Sequence, residues 1–376
     1  MTPHRQHVRR HARRALLWGV TGFVIAQLSM ALLMDYAWPQ LRDPYYAFKV
    51  DKLRQRQRDV ARGPRGKTAT PPTVVMLGSS RAAMGLQALR LEEQLRHELG
   101  QPVVVFNFGT PATGPILEYL YLRRLLRDGI RPSLLLVEVL VPQFATTGLG
   151  PVESVLLPTN RLWWHELEQL ERLGWSMSER RREWPMTWVV PSYCQRFALV
   201  SWLAPTWLSW RQRQDWGRGG DACGWVPMAG QQRTAESARR ALERAEQEYA
   251  TALRYFALDP VAANATRALL SLCQQEDIPV ALVWMPEGAP FRSWYSASCR
   301  RQMQAFLSQM QAEYPVTLID AQCWQADDDF HDAHHLLRDG AARFTERLGR
   351  EYVLPLLAND PKLGARWTQA PRAPLQ

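Results

Sequence analysis

The chain has 376 residues and a mass of 43.2 kDa, enough for one large domain or two ordinary ones, each able to bury a core. Apolar residues make up 46% and charged ones 22%, which excludes a disordered chain. The net charge of +10 is local: residues 1–69 hold 14 Lys/Arg against 4 Asp/Glu, while residues 70–376 hold 32 of each, so no nucleic-acid partner is expected.

The first 14 residues carry Arg5, Arg9, Arg10, Arg13 and Arg14 and no acid. Residues 15–34 follow without a charge. As a helix that run is about 30 Å long, the thickness of a bilayer core. Trp18 and Trp38 lie near its ends, where interface anchors sit. Five Arg precede the span, and Arg42 and Lys49 follow it. The positive-inside rule therefore predicts a cytoplasmic amino terminus and a body outside. A cleaved signal peptide is the alternative, with Ser29-Met30-Ala31 as a loose cleavage site. Residues 41–69 are polar and basic. They read as a short stalk helix over about 46–60, then a flexible linker.

From Pro71 the pattern alternates between strands and helices. Residues 73–77 form a short apolar run entering Gly78-Ser79-Ser80-Arg81, which predicts a buried strand and a turn. A helix over about 84–99, a strand at 103–107, a helix at 116–128 and a strand at 133–141 follow. This order means a parallel sheet with right-handed crossovers.

The alternation breaks near Phe144 and resumes near Gln231. Ten of the sixteen Trp lie between them, a compact insertion expected over one end of the sheet. Its aromatics either pack a small core of their own, stack on sugar rings or dip into a membrane surface. Helices over 234–258 and up to 275, a strand at 278–285, a helix at 297–314 and a strand at 316–319 complete the pattern. The last helix, over 339–356, opens with Asp339 as its expected N-cap.

Ligands of open parallel sheets bind beyond the carboxyl ends of the strands. Those ends carry Ser79-Ser80, then the loop 107–114, then Pro286-Glu287-Gly288, then the run 327–336. Of the eight His, three lie in the leader, His97 in a helix and His165 in the insertion. An imidazole base on the outside therefore comes from His331, His334 or His335. Asp332 precedes His335 by three residues, so one turn presents both side chains to the same point. A Ser after the first strand completes a nucleophile, base and orienter set.

Taken together, these blocks resemble the SGNH (GDSL-type) hydrolase superfamily. Gly78-Ser79-Ser80 stands for its Gly-Asp-Ser block, and Asp332-Ala-His-His335 for its Asp-x-x-His block before the final helix. Its Asn-x-Gly-x-x-Gly block is matched by Asn107-Phe-Gly109-Thr-Pro-Ala112. The apolar helix with LGSSR and NFG looks like the membrane-anchored cell-envelope members, which transfer or remove acyl groups on envelope polymers. The resemblance covers about 71–145 and 275–357. It implies Ser80 as nucleophile, His335 as base and Asp332 as orienter. The amides of Ser80 and Ala112, with Gly109, would hold the oxyanion. Two departures stand out. Ala112 replaces the family's Gly, and no Asn follows the third strand, where Leu140-Val-Pro-Gln-Phe144 places Pro142 and Gln143. Gln143 is the remaining side-chain donor there, and Glu287, on the active edge, is a candidate for binding a substrate hydroxyl or Arg, with a plain helix-start acid as the equal alternative.

Three other readings fit these residues. Ser79-Ser80 is compatible with plain helix capping. The run from Asp327 to His335 is rich in metal-ligand types, but no separate Cys or His cluster joins it, so no metal and no cofactor are assigned. A non-catalytic envelope protein holding a glycan or a partner through the Trp-rich insertion is the reading from another class. Five Cys allow a disulfide outside the cytoplasm, Cys194 with Cys223 or Cys299 with Cys323.

The expected fold is a flavodoxin-like three-layer α/β sandwich with a parallel sheet. The expected layout is a basic cytoplasmic leader at 1–14, a transmembrane helix at 15–38, a basic stalk and linker at 39–70, the sheet domain at 71–357 with its insertion at about 145–230, and a disordered tail at 358–376. The expected activity is that of an esterase or O-acyltransferase on an envelope glycan or other acylated polymer. An acyl-donating membrane protein is a possible partner.

Overall fold

The computed structural model describes residues 3–38, 41–62, 71–146, 151–155, 157–209, 212–228 and 234–358. The expected linker at 63–70, Trp210 and the expected tail from 359 lie outside the described residues.

The helices in chain order are α1 (Pro3–Leu32), α2 (Pro44–Ala61), α3 (Ser80–Gly85), α4 (Ala88–Leu99), α5 (Pro115–Arg127), α6 (Trp164–Arg172), α7 (Ser178–Glu183), α8 (Met186–Val189), α9 (Pro191–Cys194), α10 (Arg196–Leu203), α11 (Ala235–Arg254), α12 (Pro260–Gln275), α13 (Ala289–Ser293), α14 (Ala297–Glu313), α15 (Arg338–Leu348) and α16 (Leu354–Ala358). The strands are β1 (Thr73–Leu77), β2 (Val104–Asn107), β3 (Leu134–Glu138), β4 (Val280–Trp284) and β5 (Val316–Asp320). The chain divides into two compact units.

The larger unit holds the sheet, which is parallel throughout in the order β2-β1-β3-β4-β5. Both faces are covered, so the four strands β1 to β4 are buried at every position, as strands sandwiched between helices must be. Val74, Met76, Leu134, Leu136, Ala281 and Val283 alternate onto one face, where Leu91 and Leu95 of α4 and Phe344 and Leu348 of α15 meet them. Helices α5 and α12 pack against each other. This is the three-layer α/β sandwich, reached through alternating strands and helices.

Several elements depart from the sequence reading. The helix expected over 84–99 is two helices, α3 and α4, broken at Leu86, whose backbone is extended (φ −97°, ψ 108°). Asn107 causes the break: its Nδ2 donates to the carbonyls of Ala82, Ala83 and Leu86 and so caps the end of α3. The last helix starts at Arg338. Leu337 takes the N-cap position without a capping side chain, and Asp339 sits in the first turn, where its charge suits the helix dipole. A π-helical turn (Gly349–Val353) then interrupts it before α16. All five cysteines are free thiols, so neither expected disulfide forms. Burial pushes Cys223, Cys273 and Cys299 up to about 12, which makes them inert small hydrophobes at neutral pH.

The stalk helix is tied into the sheet unit from Phe48 onward. Lys49 is fully buried, and its Nζ donates to the carbonyls of Asn107 (2.9 Å) and Gly224. Burial, with Lys52 nearby, pulls Lys49 down to about 7. Arg56 pairs with Glu92, and Gln57 Nε2 bonds Thr73 Oγ1 at the start of β1 (3.1 Å). Periodicity marks α2 as a helix, but these long-range partners lie far along the chain.

The smaller unit gathers residues 1–47, 158–171 and 176–216. Residues 10–37 form a helix long and apolar enough to cross a bilayer, with a mean hydropathy of 1.9 over its most apolar 18-residue window. Beyond it, Arg42 is buried. It donates to Asp35 Oδ1 (2.8 Å) and to Leu162 O (3.0 Å) and lies over the rings of Trp163 and Trp184. Trp184 Nε1 also bonds Leu162 O (3.0 Å), and Trp164 meets Trp184 edge to face. Part of the tryptophan excess thus packs this unit's own core.

Candidate active site

Strand β1 runs into Gly78, and Ser79 then caps α3, its Oγ accepting the Arg81 amide (3.1 Å). Capping falls to Ser79, so Ser80 stands at the first helical position with its hydroxyl free for another partner. Amides in a first helical turn have no acceptor inside the helix, so the Ser80 N–H is available to a ligand. Gly78 is required by close approach: a Cβ there would lie 2.6 Å from Glu138 Oε2 and 2.7 Å from Ala82 Cβ.

The loop 326–337 brings the imidazole from the far end of the chain. His331 N bonds His335 O (2.9 Å), and Leu337 N bonds Asp329 O (2.8 Å), which closes the loop on itself. Ala333 lies in the left-handed region (φ 70°), a strained conformation costing about 1–2 kcal/mol in an L-residue. The turn it makes lets Asp332 Oδ1 accept the amides of His334 (3.3 Å) and His335 (2.9 Å).

Asp332 Oδ2 lies 2.8 Å from His335 Nδ1, and His335 Nε2 lies 2.8 Å from Ser80 Oγ. Burial alone would raise the Asp332 carboxyl, but the two histidines and their hydrogen bonds outweigh it and hold it well below the usual range. An ionised Asp332 accepts the Nδ1 proton. Nε2 is then left unprotonated toward Ser80, the tautomer a general base needs. His334 is buried against Tyr249 and Phe291, and burial, then His335, lower it to about 3, so it is neutral. Asp332, His334 and His335 are close enough to share a metal ion, but the Ser80 contact uses the same imidazole.

A buried charge network supports the turn from below. Arg81 is fully buried, pairs with Glu138 (3.5 Å) and Glu287 (3.3 Å), and donates to the carbonyls of Met285 and Pro286. Burial opposes its charge, but the two carboxylates outweigh that and raise it. Glu138, at the end of β3, accepts the Ser79 amide (2.6 Å), so the same carboxylate fixes the turn that carries Ser80. The expectation that Glu287 faces substrate is corrected. It is fully buried and accepts from Arg81, Trp284 Nε1, Gln322 Nε2 and Tyr295 OH, which occupy its oxygens from within the protein.

The loop after β2 runs beside the turn that carries Ser80, with Phe108 N bonded to Met76 O and Thr110 N to Gly78 O. The oxyanion role expected of Gly109 is corrected: its N–H already donates to Asn107 Oδ1 (3.0 Å). Glycine is needed there for another reason, since a Cβ would lie 2.5 Å from Ala83 N. Ala112 is half-exposed with φ 59°, the left-handed conformation that a glycine would adopt without strain. Gln143 is buried beside Gly114, and its Oε1 has no hydrogen-bond partner among the described residues. Glu153 accepts the amides of Gly114, Ile116 and Leu117, all at 2.9 Å, and caps α5 from a loop.

The sequence reading missed Glu138, Glu153 and the supporting roles of Arg81 and Asn107. A charge inside an apolar run was the available signal: Glu138 follows Leu134-Leu-Leu-Val137 directly.

No known family profile matches the chain, and no characterised protein matches it by sequence. Among solved structures, a variant of the esterase AlinE4 is similar at 12% identity and a TM-score of 0.30, over 67% of this chain and 77% of its own. A Bacteroides fragilis protein classed as an acylhydrolase is similar at 9% identity and a TM-score of 0.35, over 81% and 97%. The Vlm2 thioesterase domain is similar at 14% identity and a TM-score of 0.23, over 75% and 94%. All three are named for ester or thioester cleavage. At such scores, the chemistry of this chain rests on its own geometry.

Proposed function

We propose that this chain is a membrane-anchored, SGNH-like serine esterase or O-acyltransferase that works through an acyl-serine intermediate on an acylated cell-envelope glycan or similar polymer. The observation that carries the reading is the relay from Ser80 Oγ to His335 Nε2 and from His335 Nδ1 to Asp332, at 2.8 Å in both steps. The apolar helix α1 supports the anchor, with its basic leader on the cytoplasmic side.

In the first step Ser80 gives its proton to His335 Nε2 while Oγ bonds to the ester carbonyl carbon. The carbonyl oxygen takes the negative charge, and the amides of Ser80 and Ala112 are the donors assigned to it. Collapse of this intermediate breaks the bond to the alcohol, which leaves with the proton from His335. An acyl ester on Ser80 remains. In the second step His335 takes a proton from water or from a sugar hydroxyl, whose oxygen attacks the acyl carbonyl. Water yields a free acid, and a sugar hydroxyl yields a new ester. Ser80 Oγ leaves and recovers its proton from His335. Asp332 stays ionised and steadies the imidazolium in both steps.

A fluorophosphonate probe tests the nucleophile. Wild type should be labelled and Ser80→Ala should not, with the melting temperature unchanged. Equal labelling of both would show that Ser80 is not the nucleophile.

A further inference from the structure

The Trp-rich insertion contains a stretch that an aqueous domain would not be expected to carry. Residues 184–209 hold a single charged side chain, Arg196, whereas Glu179 to Glu183 before it and Arg211, Arg213 and Asp215 after it are densely charged. Helices α8, α9 and α10 occupy most of this stretch. The outward residues of the stretch, Met186, Val189, Tyr193, Trp202, Leu203 and Trp207, are exposed, Trp207 to 82%.

Helices α8 and α9 pack along α1. Gln27, Ala31 and Met34, spaced four and three residues apart, form the buried stripe of that helix, while Phe23, Ile25, Leu28 and Leu32 stay exposed. Gln27 Oε1 accepts the amide (3.2 Å) and hydroxyl (2.9 Å) of Ser192, and Asp35 Oδ2 accepts Trp188 Nε1 (3.0 Å). Trp38 meets Trp202 with ring centroids 6.4 Å apart. From Gln27 to Met34, the end of the uncharged run, a helix rises about 10 Å, roughly a third of a bilayer core. A segment packed over that length of a membrane span lies in lipid with it.

Lipid makes unpaired amides costly, and backbone bonds close the ends of these short helices. The breaks between the short helices are bridged. Val190 N bonds Met186 O, Cys194 N bonds Val190 O, Gln195 N bonds Pro191 O, and Ala204 N bonds Val200 O. Pro185, Pro191 and Pro205 stand at the breaks and have no amide to satisfy. The amide of Ser192 is met by Gln27, which accounts for a polar residue inside the apolar helix. Arg196 is the one charge, and its guanidinium is engaged locally: it lies over the Tyr193 and Phe197 rings and its Nη1 donates to Tyr193 O (2.7 Å).

We propose that residues 184–208 are a second membrane element, seated beside α1 in the leaflet on the carboxyl-terminal side of the span, with α8, α9 and α10 facing acyl chains. This rests on reading α1 as spanning the bilayer. The test uses the full chain in phosphatidylcholine–phosphatidylglycerol vesicles, with Cys194→Ser and Cys323→Ser removing the accessible thiols. A nitroxide is placed on Val189→Cys, Leu203→Cys, Ile25→Cys or Tyr255→Cys. Labels at 189, 203 and 25 should collide with oxygen in preference to a water-soluble nickel chelate, and the label at 255 the reverse. Nickel preference at 189 and 203 with oxygen preference at 25 overturns the second element and leaves the span. Nickel preference at all three overturns the span itself. Exclusion of both reagents at 189 and 203 means that a protein partner covers this face, which also overturns the proposal.

Discussion

Replacing Asp332 with Asn changes one atom of the relay and tests its logic. Asp332 Oδ1 accepts two amides, those of His334 and His335, while Oδ2 accepts His335 Nδ1. In Asp332→Asn one oxygen becomes an NH2 donor. Facing the amides with that group would set it against two N–H donors, and facing the ring sets it against one. The amide therefore turns its NH2 to the imidazole, whose proton moves from Nδ1 to Nε2. A donor then points at Ser80 Oγ, 2.8 Å away, and the base is lost. The analogous wrong-tautomer change in a serine protease costs on the order of ten-thousandfold in kcat, or about 5 kcal/mol of transition-state stabilisation. The assay is hydrolysis of p-nitrophenyl acetate by the detergent-solubilised full chain, with Ser80→Ala as the blank. kcat should fall by about that factor while KM holds. A variant within tenfold of wild type would refute the relay.

The other predictions concern the support of the site. Arg81→Met leaves Glu138 and Glu287 buried without their cation and should cost about 3–5 kcal/mol of stability, read as a lowered urea midpoint. Glu153→Ala strips the amides of Gly114, Ile116 and Leu117, at the cap and first turn of α5, of their acceptor and should cost about 2–4 kcal/mol, whereas Glu153→Gln, which keeps one oxygen, should cost less. Stability should fall on acidification because His334 is held at about 3 against an ordinary value of 6.5. Between those values the unfolded chain binds a proton that the folded chain refuses. His334 should therefore contribute a loss of about 1.4 kcal/mol per pH unit below the ordinary value. Urea midpoints from neutral pH to about 4.5 should show a shallower slope in His334→Phe; an unchanged slope would place the titration elsewhere.

Local pattern carried much of the architecture. The runs at 73–77, 103–107 and 278–285 announce strands because a sheet covered on both faces demands unbroken apolar residues. The apolar run at 15–34 announces α1 for a similar reason, since length and hydropathy are properties of the run itself. The three-residue step from Asp332 to His335 is local too, and one turn suffices to bring the side chains together. The boundaries that failed were set by distant partners. Asn107 ends α3 early, and Gly349 of the last helix packs where a Cβ would lie 2.5 Å from Gln94 Oε1.

Only the tertiary structure decided what the charges and glycines of the site do. Glu287 reads as an acid on the active edge, yet four donors enclose it. Gly109 reads as an oxyanion donor, yet its amide belongs to Asn107 and its missing Cβ makes room for Ala83. Glu138 and Glu153 are unremarked polar letters, and Lys49 reads as a mere flanking charge, until folding buries them against amides and carbonyls far along the chain. Sequence alone supplied residue types and local spacing, hence the elements and the candidates at their ends. Whether Ser80 meets an imidazole 255 residues away, or what covers one face of an apolar helix, depends on contacts between segments far apart in the chain. Burial then sets the energy of each charge, and a periodic pattern does not encode those partners.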